Sequence, residues 1–279
     1  MKRSSLEIVE CGHCRHAEAM TRRGAAWRGV DFPALVGVIH HAQEGVILYD
    51  TGYDAAFMDA TRALPERLYR LATPVTFAPG ESIVDQLATR GIPADAVRHI
   101  ILSHFHGDHV AGLHNFPHAT LHCACAGLRD LRARSRFGSA RRGLLPALVP
   151  DRIDHAAFFE DATPVALPAA FQPFDRGADL LGDASLLAVE LPGHCPGHWG
   201  LALRLEDDRY TLLVGDAAWS LTAIERNMPP PGLVARLLGD AAVQRSTLAA
   251  LHRLHGGRPD TLLLPSHCSI AARQAGLQA

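Results

Sequence analysis

The chain has 279 residues, 48% of them hydrophobic, which is enough apolar matter for a full core and excludes the peptide and disordered classes. Its 27 basic and 29 acidic residues nearly cancel, leaving a formal net charge of -2, so a dedicated nucleic-acid binder is not expected. No apolar run reaches the roughly 18 residues a membrane span needs, and Glu7 and Glu10 stand where a signal peptide would be apolar. Six cysteines are too few for a disulfide scaffold in a chain of this length, and a cytoplasmic, reducing location is the expectation.

Taken in chain order, β-rich apolar runs predict strands at 6–9, 34–41 and 46–49, with Glu44-Gly45 as the turn between the last two. Residues 53–80 are broken by Pro65, Pro74 and Pro79. A helix is predicted near 81–90, with Ile83, Val84 and Leu87 on one face and Gly91 at its end. Strands follow at 97–103 and 119–122, then an arginine-rich helix or loop over 127–143. Further strands are predicted near 185–191, 201–205, 210–214 and 261–264. Before the last of these, a helix over 240–255 turns Val243, Leu248, Leu251 and Leu254 inward. Strands alternating with helices indicate a layered α/β fold. No Gly/Ser- or Pro-rich linker divides the chain, so one domain over 1–279 is expected, with a flexible tail from about 271. ILYDTG and LLVGDA each close a strand, and each is followed by a helix and a strand ending in Ser-His, a faint duplication of one αβ half.

The seventeen histidines are the compositional anomaly. His104-Phe105-His106-Gly107-Asp108-His109 sets four ligand-type side chains directly after an apolar strand, where they are costly to bury without a partner. Alternation along an extended segment puts His104 and His106 on one side, and a turn after Gly107 sends Asp108 and His109 elsewhere. His194, Asp216 and His267 also stand just beyond β runs. Imidazole nitrogen and carboxylate oxygen are the donors that zinc and similar first-row divalent ions accept.

This pattern, HxHxDH–H–D–H, resembles that of the metallo-β-lactamase-fold hydrolases. The resemblance implies a four-layer αββα sandwich with two mixed β-sheets and two divalent metal ions at its open edge, zinc first, with manganese, iron or cobalt also accepted. It implies that His104, His106 and His194 hold one ion, that Asp108, His109 and His267 hold the other, and that Asp216 bridges them. Asp50, in the DTG turn, would be a support for a ligand and not a ligand itself. Two such ions about 3.5–4 Å apart acidify a water at neutral pH and polarise a scissile carbonyl. Asp108, bound through one oxygen, would be left a second with which to move the nucleophile's proton to the leaving group.

Within the family the chain is most similar to the N-acyl-homoserine lactone lactonases, through Cys14-Arg15-His16, the DTG turn, LSHFHGDHVAG, ELPGHCPGHWGL and the GDA turn. Those enzymes carry a tyrosine three residues after the bridging aspartate, where this chain has Trp219. They also carry a bulky apolar residue where it has Gly107, a change expected to widen or reshape the pocket. Phe105, Gly107 and Trp219 are the expected substrate contacts. The segments 57–77 and 227–233 are expected to cover an acyl group. Cys11 and Cys14 are read as free thiols in preference to a second zinc site. Cys195 and Cys268 follow ligand-type histidines without taking their places, and His114 and His198 are read as structural hydrogen-bonding groups. The arginines at 129, 132, 134, 136, 141 and 142 are read as a solvated helix face. The expectation is a hydrolase opening a lactone or related ester with an acyl group, with no nucleic-acid partner and a homodimer allowed. The rivals are a thioesterase resembling glyoxalase II, for which the arginine cluster would hold an anionic thiol carrier, and a metal-bound sensor with little turnover.

Overall fold

Strand alternation explains how the first half of the chain is buried. In the computed structural model, which describes residues 1–276, the first strands are β1 (Arg3–Ala17), β2 (Gly29–His41) and β3 (Gly45–Tyr49), paired antiparallel in sequence. Leu35, Ile39, Ile47 and Tyr49 point to one side and join a core with Leu201, Leu213 and Val214 from the second half. Val36, Val38, Val46 and Leu48 point to the other, against Phe57, Ile83 and Leu87. A period of two with both faces apolar is what a sheet covered on both sides requires.

The sheet continues through the short β4 (Val75–Thr76), which pairs with β1, and through β5 (Val97–Ile101), β6 (Thr120–Cys123) and β7 (Ala157–Phe158), which run parallel outward from β3. The second half contributes β8 (Thr163–Ala166), β9 (Arg176–Asp179), β10 (Leu186–Glu190), β11 (Trp199–Leu205) and β12 (Tyr210–Gly215), paired antiparallel in succession. β13 (Leu262–Pro265) lies parallel to β12. Arg3 and Ser4 of β1 pair with Arg204 and Leu205 of β11, joining the two halves into one curled mixed sheet folded over the shared core. The duplication read in the sequence is a pair of parallel crossovers. β3 reaches β5 through a connection that includes the helix Ile83–Thr89, and β12 reaches β13 through one that includes the helix Ala241–Gly257.

Several elements differ from expectation. β1 runs well past residue 9, because a bulge between Glu10 and His13 lets a polar continuation keep its pairing with β2. The interrupted stretch 53–80 contains two helices, Ala55–Ala60 and Glu66–Ala72, and Pro65 sits just before the second, where its missing N–H costs nothing. Val243 faces outward. Gln244, Thr247, Leu248, Leu251 and Leu254 form the buried face of its helix, which Asp240 caps by accepting from the N–H groups of Ala242 and Val243. Where a flexible tail was expected, Ser269–Gln274 is helical with Ala271 and Ala272 fully buried, while 277–279 lie outside the described residues. No helix among the described residues is long and apolar enough to cross a membrane.

Candidate metal centre

Asp50, His104, His194, Asp216 and His267 all lie just past the C-terminal ends of strands, β3, β5, β10, β12 and β13 respectively. Loops there escape the ladder and can converge, which is why ligands collect at that end of α/β sheets. His104 Nε2 and His194 Nε2 lie 2.9 and 3.1 Å from His106 Nδ1, and all three side chains are buried. A tetrahedral ion with nitrogens at about 2.0–2.1 Å sets them roughly 3.3 Å apart. His267 Nε2 is 3.4 Å from Asp108 Oδ2, and His109 Nε2 is 3.6 Å from the same oxygen. Asp216 faces both groups. Its Oδ2 is 3.4 Å from His194 Nε2, and its Oδ1 is 3.4 and 3.1 Å from His109 Nε2 and His267 Nε2.

The outward nitrogens fix which way the lone pairs point. His109 Nδ1 donates to Asp50 Oδ2 at 2.7 Å, and His267 Nδ1 donates to the Pro33 carbonyl at 2.7 Å. His104 Nδ1 donates to Ser103 Oγ at 2.9 Å, and that hydroxyl in turn donates to Asp50 Oδ2 at 2.7 Å. With these tautomers the Nε2 atoms of His104, His109 and His267 are acceptors aimed at one another's space. His109 Nε2 and Asp216 Oδ1 are buried with no hydrogen-bond partner. Unpaired buried acceptors of this kind are what a cation satisfies, so the donor set fits divalent metal.

Electrostatics agree with that fit. Burial, aided by neighbouring imidazoles, holds His104 well below the ordinary histidine pKa. Burial lowers His194 likewise and His106 to about 4, so these three stay neutral donors. Burial opposes charge on His109 too, yet Asp108, Asp50 and Asp216 outweigh it and raise its pKa well above the usual value. Burial works against the Asp216 carboxylate, but His267 and His109 keep it ionised. The protons favoured on His109 and His267 are those a divalent cation would displace.

Asp50 anchors the support. It adopts φ +62°, a left-handed backbone few non-glycine residues tolerate, and there its carboxylate accepts from Ser103 N, Ser103 Oγ and His109 Nδ1. Asp50→Asn, which keeps the shape and loses the charge, is expected to weaken metal affinity about 10–100-fold in a competition titration against a chromophoric chelator. Unchanged affinity would contradict this supporting role. His198 is a structural group: its Nδ1 donates to the Leu191 carbonyl at 2.9 Å, and its Nε2 accepts the Asp216 N–H at 2.9 Å. His114 is tied to the Ala147 carbonyl.

A cavity of about 440 Å³ opens over this centre, bordered at its floor by His106, Asp108, His194, Asp216 and Trp219. Pro65, Leu68 and Tyr69 from one covering segment, Met228 and Pro230 from the other, and Leu237 and Leu238 from the helix Gly232–Leu238 that runs on beyond it form much of an apolar wall. Phe105 and Gly107 do not line it. Phe105 is buried in the core with its ring under Gly127, as alternation opposite His104 and His106 dictates. The space a side chain at 107 would take is filled, since a Cβ there would lie 2.9 Å from Phe57 and 3.0 Å from Leu145. Gly107 therefore widens nothing.

Trp219 does border the cavity, with its ring 4.4 Å from that of His267 and 5.3 Å from that of Phe32. Cys14 and His16 of the Cys-x-His loop and Tyr69 of the covering segment border it as well, as do Tyr53 and Met20, which had no motif to announce them. Burial pushes the phenols of Tyr53 and Tyr69 well above the ordinary value, so both are donors at neutral pH. Cys195 Sγ lies within 4.8 Å of the donor nitrogens of His104, His106 and His194. Cys11 and Cys14 join no group of three ligand-type side chains among the described residues.

A family model described as the metallo-beta-lactamase superfamily matches residues 29–267. The chain belongs to that superfamily. A probable metallo-hydrolase of Mycobacterium tuberculosis is 30% identical over 237 residues, covering 80% of this chain and 71% of that protein. The N-acyl homoserine lactonase AttM of Rhizobium radiobacter is 28% identical over 168 residues, 59% of this chain and 58% of the relative. Among solved structures, an AiiA variant from B. thuringiensis with N-decanoyl-L-homoserine at its active site superposes with a TM-score of 0.71. It covers 98% of this chain and 97% of its own at 18% identity, a likeness of fold. AidC, described as a dizinc quorum-quenching lactonase, gives a TM-score of 0.63 at 15% identity, covering 96% of this chain and 90% of its own. The chain is a hydrolytic enzyme of a metal-dependent superfamily, and its described residues include the His/Asp clusters such chemistry uses.

Proposed function

We propose that this enzyme is a dinuclear metal hydrolase that opens a lactone or related carboxylic ester bearing an apolar acyl group, N-acyl-homoserine lactones foremost. His104, His106 and His194 would hold one divalent ion and Asp108, His109 and His267 the other, with Asp216 shared. The carrying observation is the seating of this donor set at the floor of an apolar cavity large enough for an acyl chain. When bound, the ions supply an acidified water and polarise the carbonyl.

The chain's own residues do the rest. Asp108 borders the cavity and takes the proton released as the water oxygen joins the carbonyl carbon, then returns it to the departing alkoxide oxygen. The apolar wall accepts the acyl chain and excludes bulk water. Of the six arginines read as a solvated face, Arg132, Arg134 and Arg136 are engaged by Asp154, Asp130 and Glu66, whereas Arg141 and Arg142 border the cavity and Arg142 donates to the Leu238 carbonyl, so a thioesterase with an anionic carrier is the second reading.

Protein expressed with ample metal is expected to carry about two ions per chain by elemental analysis and to release protons from a long-chain N-acyl-homoserine lactone in a chelator-sensitive reaction. No bound metal would sink the reading. Two bound ions with silence on lactones and esters would refute the substrate class.

A further inference from the structure

A large apolar side chain exposed singly is ordinary, but a cluster of them on one face marks an interaction surface. Nine are exposed among the described residues. Six of them, Leu64, Leu68, Leu71, Phe137, Leu233 and Leu237, lie on or beside the helices Glu66–Ala72, Arg136–Arg141 and Gly232–Leu238. Leu68, Phe137 and Leu237 border the cavity while standing 48%, 58% and 39% exposed, so they form its rim. Leu71 follows Leu68 by three residues and Leu237 follows Leu233 by four, spacings that set each pair on one helix face. The three helices are tied together around the mouth. Arg136 pairs with Glu66 at 2.6 Å, and Arg142 donates to the Leu238 carbonyl at 2.8 Å. The exposed Trp27 belongs to a turn joined to the same rim, where the Arg23 N–H donates to the Pro229 carbonyl at 2.8 Å.

The charge around this rim is one-sided. Segments 20–28, 62–73, 134–142 and 226–239 hold three, three, four and two arginines against a single acid, Glu66, in a chain whose net charge is -2. Glu18, Asp59, Asp130 and Glu66 pair with five of these twelve, and the other seven have no ion-pair partner among the described residues. Two of the seven converge. The Nη2 atoms of Arg23 and Arg236 each lie 3.7 Å from the point a Cβ at Gly232 would occupy. Two guanidiniums set so close without an acidic partner repel each other, and a shared anion relieves that repulsion.

A second copy of the chain is the wrong cover for this face. A two-fold interface sets the same patch on both sides, so arginine would be pressed against arginine. A nucleic acid would satisfy the arginines and leave the leucines in water. A bilayer with anionic headgroups meets both demands, because its phosphates take the guanidiniums and its acyl layer takes the apolar side chains. We propose that the rim of the cavity docks this enzyme on an anionic phospholipid surface, with Leu71 and Leu233 entering the interface and Arg23 and Arg236 sharing a headgroup phosphate. The mouth then opens onto the bilayer, so an apolar acyl chain can pass from lipid to cavity without crossing water. That consequence rests on the lactone or ester reading above, whereas the docking itself does not.

The test is co-sedimentation of the metal-loaded full chain with vesicles of phosphatidylglycerol and phosphatidylcholine in equal parts, without substrate. The wild type is expected to pellet with these, to stay largely in solution with phosphatidylcholine alone, and to be released by added salt. Each arginine at an anionic surface is worth about fivefold in binding, so Arg23→Glu with Arg236→Glu is expected to weaken it about 25-fold or more. Arg98→Glu with Arg258→Glu makes the same change of net charge at exposed positions near the N-terminal ends of β5 and β13, across the sheet from the site, and is expected to leave binding nearly intact. Leu71→Glu with Leu233→Glu is expected to abolish it, with melting temperature unchanged because both side chains are exposed. Equal pelleting with neutral vesicles, or with neither kind, overturns the proposal, as does an equal loss in the Arg98 and Arg258 variant. A wild type that is dimeric without lipid, and monomeric once Leu71 and Leu233 are replaced, also overturns it, since a second copy then covers the face. Failure to pellet leaves the hydrolase reading standing, and failure to open lactones or esters leaves the docking standing.

Discussion

Asp216→Ala is expected to reduce bound metal from about two ions per chain to one or fewer and to lower kcat/KM about 10³-fold. Its carboxylate stands between the two nitrogen sets, Oδ1 near His109 and His267 and Oδ2 3.4 Å from His194 and 3.3 Å from His267, so one truncation removes a donor from both groups. Charge stabilisation by a bound ion contributes several kcal/mol to a hydrolytic transition state, and about 4 kcal/mol is a thousandfold in rate. The backbone around it should survive, because the residue 216 N–H still donates to His198 Nε2 and Gly215 remains paired with β13. Circular dichroism should therefore be unchanged. The protonation of His109 and His267 should change, because both owe part of their raised pKa to this carboxylate. With Asp216 gone, each loses its proton at lower pH. A variant with two ions and wild-type kcat/KM would remove Asp216 from the shared position.

The candidate ligands were legible because each stands directly beyond a strand whose apolar run is plain, and because their spacing resembles a specific family pattern. β2 and β3 were legible for the same reason: Ala34–His41 and Val46–Tyr49 are continuous, β-branched and buried on both faces. The edge of the sheet was not. β7 has two residues and β8 carries Pro164, since edge strands satisfy one ladder only and need little apolar character, and β9 beside β8 is short and polar. The cavity was invisible as a unit. Its wall draws on β1, on helices around Pro65 and Gly232, and on the turn at Tyr53, which approach one another only after the sheet curls. Phe105 is the instructive error. The alternation that put His104 and His106 on one side already sent Phe105 to the other, into the core.

Gly107 carries the second large effect, and it concerns packing. Gly107→Phe, which restores the bulk that similar lactonases carry inside the histidine motif, is expected to destabilise the protein by about 3 kcal/mol or more, the upper range for overpacking. The melting temperature should fall by about 6 °C for a chain of this size. The cause is local: a Cβ at 107 already meets Phe57 and Leu145 at 2.9 and 3.0 Å, and both neighbours are fully buried with no exit. Phe57 also braces Tyr53 and Tyr69, at ring separations of 4.9 and 5.8 Å, so displacing it disturbs the cavity from beneath. Phe57→Ala alone should cost about 3–5 kcal/mol by leaving a cavity. In the double variant the new ring occupies that cavity, so the two changes should couple favourably by about 2 kcal/mol or more in a denaturant cycle. Metal content should remain near two in every variant that folds, because residue 107 contributes no donor. Strict additivity of the two single costs would mean that Phe57 does not occupy the volume vacated at Gly107. A glycine inside the histidine motif is then explained by an aromatic ring fifty residues earlier in the chain, and the two positions form one packing unit.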